Sequence, residues 1–179
     1  MNKTLKLAAA GLALAAFATA SLAHENHVAK PKGAAELAPE QKPWGIVGMP
    51  GAVKRTIDIA MADDMTFTPS VIEVREGDTL RLRLKNKGRD LHELVLGTTA
   101  EIEAHAAMMK KFPGMEHDEP WMAHVPPGRT GELVWTFNRA GDFDFACLVK
   151  DHYELGMAGR VRVLPAAGKS LSLIHISEP

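Results

Sequence analysis

Only one cysteine occurs in the 179 residues, Cys147, so the chain holds no internal partner with which it could form a disulfide. Charge of one sign is also missing: 21 basic residues face 22 acidic ones, and the formal net charge is −1. Lys and Arg are scattered among acids, no basic stripe stands ready to neutralise phosphates, and nucleic acid is not an expected partner. Beyond the first 23 residues nothing approaches the roughly 20 consecutive apolar positions of a membrane-spanning helix. No paired carboxylates suggest acid–base catalysis either, since Glu101, Glu103, Asp118 and Glu119 read most simply as a charged surface. What remains is one globular domain of ordinary composition, 46% hydrophobic and 24% charged.

Residues 1–23 have the form of a secretory signal, with Lys3 and Lys6 ahead of an apolar run from Leu7 to Ala18 and a small-residue site at Ser21-Leu22-Ala23. Cleavage there would leave an exported, periplasmic protein beginning at His24. In an oxidising compartment a lone thiol is open to oxidation unless burial or a metal protects it, which makes Cys147 informative. Residues 24–52, rich in Ala, Pro, Gly, Lys and Glu, predict a flexible arm, on which Trp44 could dock back onto the domain.

The folded domain is expected over 53–165. Ile57, Ile59 and Met61 alternate with polar or small residues, as do Ile72 and Val74; after the turn signal Glu76-Gly77-Asp78 come Leu80, Leu82 and Leu84. Those two runs predict a hairpin with one face in the core. His92 shares parity with Leu94 and Leu96 and therefore points inward. Thr98 and Glu101 form a capping-box pattern before a helix over 100–111 that Pro113-Gly114 would stop, so 97–128 reads as a helical insertion. Leu133, Trp135 and Phe137 share one face of a strand; Phe143, Phe145 and Cys147 share one face of the next; Val161 and Val163 mark a last one. About seven short strands predict an all-β sandwich or barrel. The tail, 166–179, does not continue the pattern; its end resembles translated adapter sequence, and His175 is left out of any site.

The strongest chemical signal is Cys147-x4-His152-x4-Met157, preceded by the inward His92. A thiolate and two imidazoles in a plane with a weak thioether above it form a type 1 copper site: sulfur favours Cu(I), imidazole suits both oxidation states, and a compromise geometry lets the electron move with little rearrangement. The plainer alternative makes Cys147 a buried structural thiol and both histidines surface groups. Zinc fits less well, because structural zinc takes more Cys or His and no Met.

These residues resemble the cupredoxins, the small blue or green copper proteins, and more closely the periplasmic copper-resistance cupredoxins of the CopI group. The likeness rests on Leu91-His92-Glu93-Leu94-Val95-Leu96-Gly97, on the stretch from Lys111 to Asp118, on Asp144-Phe145-Ala146-Cys147, and on His152-Tyr153-Glu154 with Gly156-Met157. It implies a cupredoxin-like Greek-key β-sandwich with a short helical insertion. It also implies His92, Cys147 and His152 as equatorial ligands, Met157 as the axial one, and copper as the cofactor. Glu93 departs from the Asn that often follows the first ligand, which leaves the hydrogen bonding of the Cys loop, and the colour of the site, open.

The insertion carries further soft donors. His105 and Met109 lie four apart on one helix face, with Met115 and His117 beyond, and these form a candidate second copper site; alternatively the methionines pack the helix and the histidines are solvated. His24 and His27 at the mature terminus could likewise take Cu(II) or simply be solvated. Two functions follow: copper tolerance, implied by the CopI likeness, and diffusible electron transfer to a redox partner protein. An enzyme is not expected, because multicopper oxidases flank the type 1 Cys with histidines, and here its neighbours are Ala146 and Leu148. A monomer without a membrane span is expected.

Overall fold

The computed structural model describes residues 39–112 and 117–168. Their strands are β1 (Ile46–Val47), β2 (Arg55–Ala62), β3 (Thr66–Thr68), β4 (Val71–Arg75), β5 (Asp78–Asn86), β6 (His92–Gly97), β7 (Met122–Val125), β8 (Thr130–Phe137), β9 (Gly141–Ala146) and β10 (Ala158–Leu164). One helix, α1 (Thr99–Lys111), follows β6. The strands form two sheets, in the orders β1-β8-β5-β2-β3 and β4-β10-β9-β6-β7. The architecture is a cupredoxin-like β-sandwich.

Its inner layer follows from strand parity. Ile59 and Met61, Leu80, Leu82 and Leu84, and Leu133, Trp135 and Phe137 face inward from the first sheet; Ile72, Val74, Leu94, Leu96, Phe143, Phe145, Val161 and Val163 meet them from the second. Phe67 and Phe145 touch edge to face with centroids 5.0 Å apart.

Three expectations change. The runs around Ile72 and Leu82 are not a hairpin: β4 pairs with β10, whereas β5 pairs with β2 and β8. The Glu76-Gly77 turn carries the chain from one sheet to the other, and two strands with one apolar face each bury those faces against one another across the core. The segment before residue 53 is not wholly an arm, because β1 adds to the edge of the first sheet through β8 and Trp44 is 3% exposed. Trp135 Nε1 donates to the Trp44 carbonyl at 3.0 Å, and a Cβ at Gly45 would stand 2.3 Å from the Thr136 carbonyl oxygen, so only glycine lets the chain come this close. The domain therefore starts before Val53. Finally, 97–128 is not all helix and loop, since β7 within it pairs with β6.

α1 begins as expected. Thr98 Oγ1 accepts from the Glu101 amide, and the Glu101 carboxylate accepts from the Thr98 amide, a complete capping box. Ile102 and Ala106 lay the helix on the outer face of the second sheet, against Val95, Met122, Ala146 and Leu148. Pro113 and Gly114, the expected stop, fall outside the described residues, as do 1–38 with the signal and most of the arm, and the tail from 169. Among the described residues no helix is long and apolar enough to cross a membrane.

Candidate metal centre

β6 and β9 are neighbours, paired antiparallel from Val95 opposite Ala146 to Gly97 opposite Asp144. His92 at the start of β6 and Cys147 just past the end of β9 therefore arrive at the same end of the sandwich. The loop from Cys147 to Met157 is closed by backbone bonds: the Cys147 amide donates to the Met157 carbonyl at 3.1 Å, and the Met157 amide donates to the His152 carbonyl at 2.9 Å. This closure returns His152 and Met157 to Cys147. All four side chains are buried, none more than 2% exposed.

His92, Cys147 and His152 each offer a donor atom within 4.8 Å of the others. Cys147 Sγ lies 3.3 Å from His152 Nδ1 and 3.9 Å from His92 Nδ1. A thiolate at about 2.3 Å and an imidazole at about 2.05 Å from one ion, at a trigonal angle, would be roughly 3.8 Å apart, so the observed spacings suit a shared metal. Both rings turn the same nitrogen, Nδ1, to the sulfur. Among the described residues, no other set of three or more His, Cys, Asp or Glu side chains gathers within reach of one ion.

Two groups stand behind these side chains, and the first escaped sequence reasoning. Asp63, in the turn between β2 and β3, accepts from His92 Nε2 at 3.1 Å. It also accepts from the Arg89 amide at 2.8 Å and the Asp90 amide at 3.3 Å. Those contacts, the Arg89 amide above all, hold its carboxyl below the usual range despite the opposing effect of desolvation. With Nε2 turned to Asp63, His92 presents Nδ1 on the side of Cys147, where a metal would bind. Space for this carboxylate depends on Gly88, where a Cβ would lie 1.9 Å from Asp63 Oδ1. Buried Asn86 steadies the β5–β6 connection that carries Gly88 by donating to the Asp90 and Val125 carbonyls, both at 2.8 Å, and accepting from the Gly88 amide. An Asp in a turn far upstream carries no sequence signal for this role.

Glu93 is the second. Its amide donates to Cys147 Sγ at 3.4 Å, and its side chain, 2% exposed, accepts from the Leu148 amide at 2.8 Å. The other carboxylate oxygen accepts from His124 Nε2 at 2.7 Å. The departure from Asn noted in the sequence thus still ties down the Cys loop, with a longer arm and an imidazole partner.

Burial pushes the Cys147 thiol up to about 12, only partly offset by the amides of Glu93 and Val149. Without a metal this sulfur stays protonated, and a metal must displace that proton to bind it as thiolate. Burial lowers His152, and the neighbouring His92 adds to that, so its ring is held neutral and ready to ligate.

In the insertion, His105 and His117 meet: their Nε2 atoms are 2.7 Å apart and their ring centroids 4.7 Å. Burial, then His117, lowers His105. Met109 packs against the apolar residues that fix the helix to the sheet, among them Ile102 and Ala106, and Met115 lies outside the described residues.

Comparison with known proteins agrees with this geometry. The family model for copper binding proteins of the plastocyanin/azurin family matches residues 52–164. The copper-resistant cuproprotein CopI of Rubrivivax gelatinosus is 46% identical over 121 residues, 68% of this chain and 73% of that protein. CopI of Pseudomonas aeruginosa is 32% identical over 184 residues, covering 87% of this chain and 92% of its own. Among solved structures, auracyanin B superposes with a TM-score of 0.57 at 18% identity, covering 70% of this chain and all of its own. Auracyanin A of Chloroflexus aurantiacus gives 0.52 at 26% identity, over 60% of this chain and 97% of its own.

Proposed function

The chain belongs to the plastocyanin/azurin family of copper-binding proteins, and from that premise we propose that it is an exported, non-enzymatic type 1 copper protein that contributes to copper tolerance. In this reading it binds copper and cycles it between Cu(I) and Cu(II). The observation that carries it is the convergence of His92 Nδ1, Cys147 Sγ and His152 Nδ1 at one buried point. Met157, buried and tied by its backbone to Cys147 and His152, would supply the thioether. Copper supplies one-electron redox chemistry there when bound.

The protein's own part is preparation. Asp63 aims His92, Glu93 holds the Cys loop, and Cys147 gives up its proton as the ion enters. Burial of His92, Cys147, His152 and Met157 would keep water from an ion held there. Periplasmic location rests on the signal pattern in residues 1–23, and the tolerance role on the copper-resistant CopI relatives. We further propose that His105 and His117, whose Nε2 atoms lie 2.7 Å apart, offer donors for a second copper together with Met109 and Met115 of the same stretch of sequence.

The second reading is diffusible electron transfer to a redox partner protein. Leu91 and Leu155, 40% and 60% exposed, adjoin the ligand segments and offer apolar surface for brief docking. A deletion strain separates the two. Copper hypersensitivity with normal respiration, restored by the wild-type gene but not by Cys147→Ser, supports tolerance. Lost electron flux at ordinary copper levels supports the shuttle and overturns the tolerance reading.

A further inference from the structure

β6 divides its side chains between two environments. His92, Leu94 and Leu96 enter the core, whereas Glu93 and Val95 face the outer side of the second sheet beneath the insertion. The same division holds after β9: Cys147 points in, and Ala146 and Leu148 point out. Glu93 is thus a buried acid on the apolar outer face, back to back with the metal centre. A carboxylate placed there is costly to desolvate unless its oxygens are met. They are met by the Leu148 amide at 2.8 Å and His124 Nε2 at 2.7 Å. His124 stands directly opposite Glu93 in the β6–β7 register, so the strand pairing itself delivers the partner.

One residue therefore grips the cysteine from both sides of the chain. Its amide reaches Sγ at 3.4 Å, and its carboxylate holds the amide of the residue immediately after Cys147. Leu148 opens the loop that leads to His152, and no sheet partner is available to its amide once β9 has ended at Ala146. From this geometry we propose that Glu93, braced by His124, is a positioning residue that sets the orientation of the Cys147 thiolate toward the metal. The role rests on the type 1 reading above. Groups behind a metal ligand commonly change metal affinity by about 10- to 100-fold when removed. Here the effect should also appear in the spectrum, because thiolate-to-copper charge transfer depends on how the sulfur orbital meets the ion.

The test uses the full mature chain loaded with one equivalent of Cu(II). Visible absorption, paramagnetic resonance and Cu(II) affinity are read for the wild type, Glu93→Gln, Glu93→Ala and His124→Ala. Glu93→Gln keeps an acceptor for the Leu148 amide, and its charge-transfer bands should stay close to the wild type. Glu93→Ala should change the ratio of those bands and weaken Cu(II) binding at least tenfold. His124→Ala, at a half-exposed position, should shift the bands in the same direction by less, and it carries the test should Glu93→Ala not fold. Val95→Ala controls for packing on the same outer face: it should lower thermal stability with the spectrum unmoved. Unchanged bands and affinity in both Glu93→Ala and His124→Ala would overturn the proposal, as would Glu93→Gln shifting as far as Glu93→Ala. A wild type with no Cys147-dependent band would instead overturn the type 1 reading, and this role with it.

Discussion

Two histidine pairs in this molecule look alike in sequence and differ in how they are held. His92 and His152 have ring centroids 4.9 Å apart, and His105 and His117 4.7 Å. The first pair sits at the end of a sheet with a cysteine between its Nδ1 atoms, and a carboxylate behind one ring already fixes which nitrogen faces the metal. The second pair spans a helix and a loop, and its Nε2 atoms face each other with no thiolate between. His117 Nδ1 is buried with no hydrogen-bond partner among the described residues. Proximity alone does not make a centre; the difference lies in the groups that orient each ring before an ion arrives.

The largest effect should come from removing the sulfur. Cys147→Ser should abolish the intense thiolate-to-copper absorption entirely while any copper bound in the insertion persists, as read by Cu(II) titration under visible light. If the band survives, the contrast between the two pairs is false.

Acidity should separate them next. The Cys147 proton, held by a thiol pushed up to about 12, must leave when copper binds, so affinity at this centre should fall about tenfold for each unit the pH drops. His105 is lowered from its ordinary value near 6.5, so protons begin to compete for it only below that point. Between pH 8 and 7 binding in the insertion should therefore stay level while type 1 binding weakens. Competition titrations against a chelator of known pH dependence would measure both slopes.

Asp63→Ala sharpens the comparison further. Without the carboxylate, His92 is free to adopt the other tautomer, and Cu(II) affinity should fall by about 10- to 100-fold. Gly88→Ala should act in the same direction by crowding Asp63, since its Cβ would meet Oδ1 at 1.9 Å. If both variants act through that one carboxylate, adding Gly88→Ala to Asp63→Ala should cost little further affinity, and this non-additivity would tie the effect to that contact.

How far this difference could be read from the chain depends on range. Parity placed His92 with Leu94 and Leu96, and Cys147 with Phe143 and Phe145, because a strand alternates faces whatever lies around it. The Thr98 to Glu101 capping box was legible for the same reason: its partners lie three residues apart. Asp63 was not, since its link to His92 crosses 29 residues and two sheets, and nothing local marks it. The partners of Ile72 and Leu82 were hidden similarly: a turn signal gives a change of direction, not the sheet that the next strand joins. Trp44 lay in a segment whose composition suggests an arm; that it could dock was legible, but its partner, Trp135 of β8, lies 91 residues on and was not.

The smallest effect on the type 1 centre should follow His117→Ala. α1 is fixed to the second sheet by Ile102 and Ala106 and started by its own capping box, so neither the helix nor the sandwich depends on that ring. His117 is half-buried, so stability should fall by about 1 kcal/mol, the common size of a single-substitution effect, without loss of the fold. Copper beyond the first equivalent should be lost, because one imidazole of the facing pair is gone, while the charge-transfer band at one equivalent keeps its intensity and position. A shifted band would mean that the insertion also shapes the thiolate site, and the outer face around Glu93 and His124 is where that influence would enter.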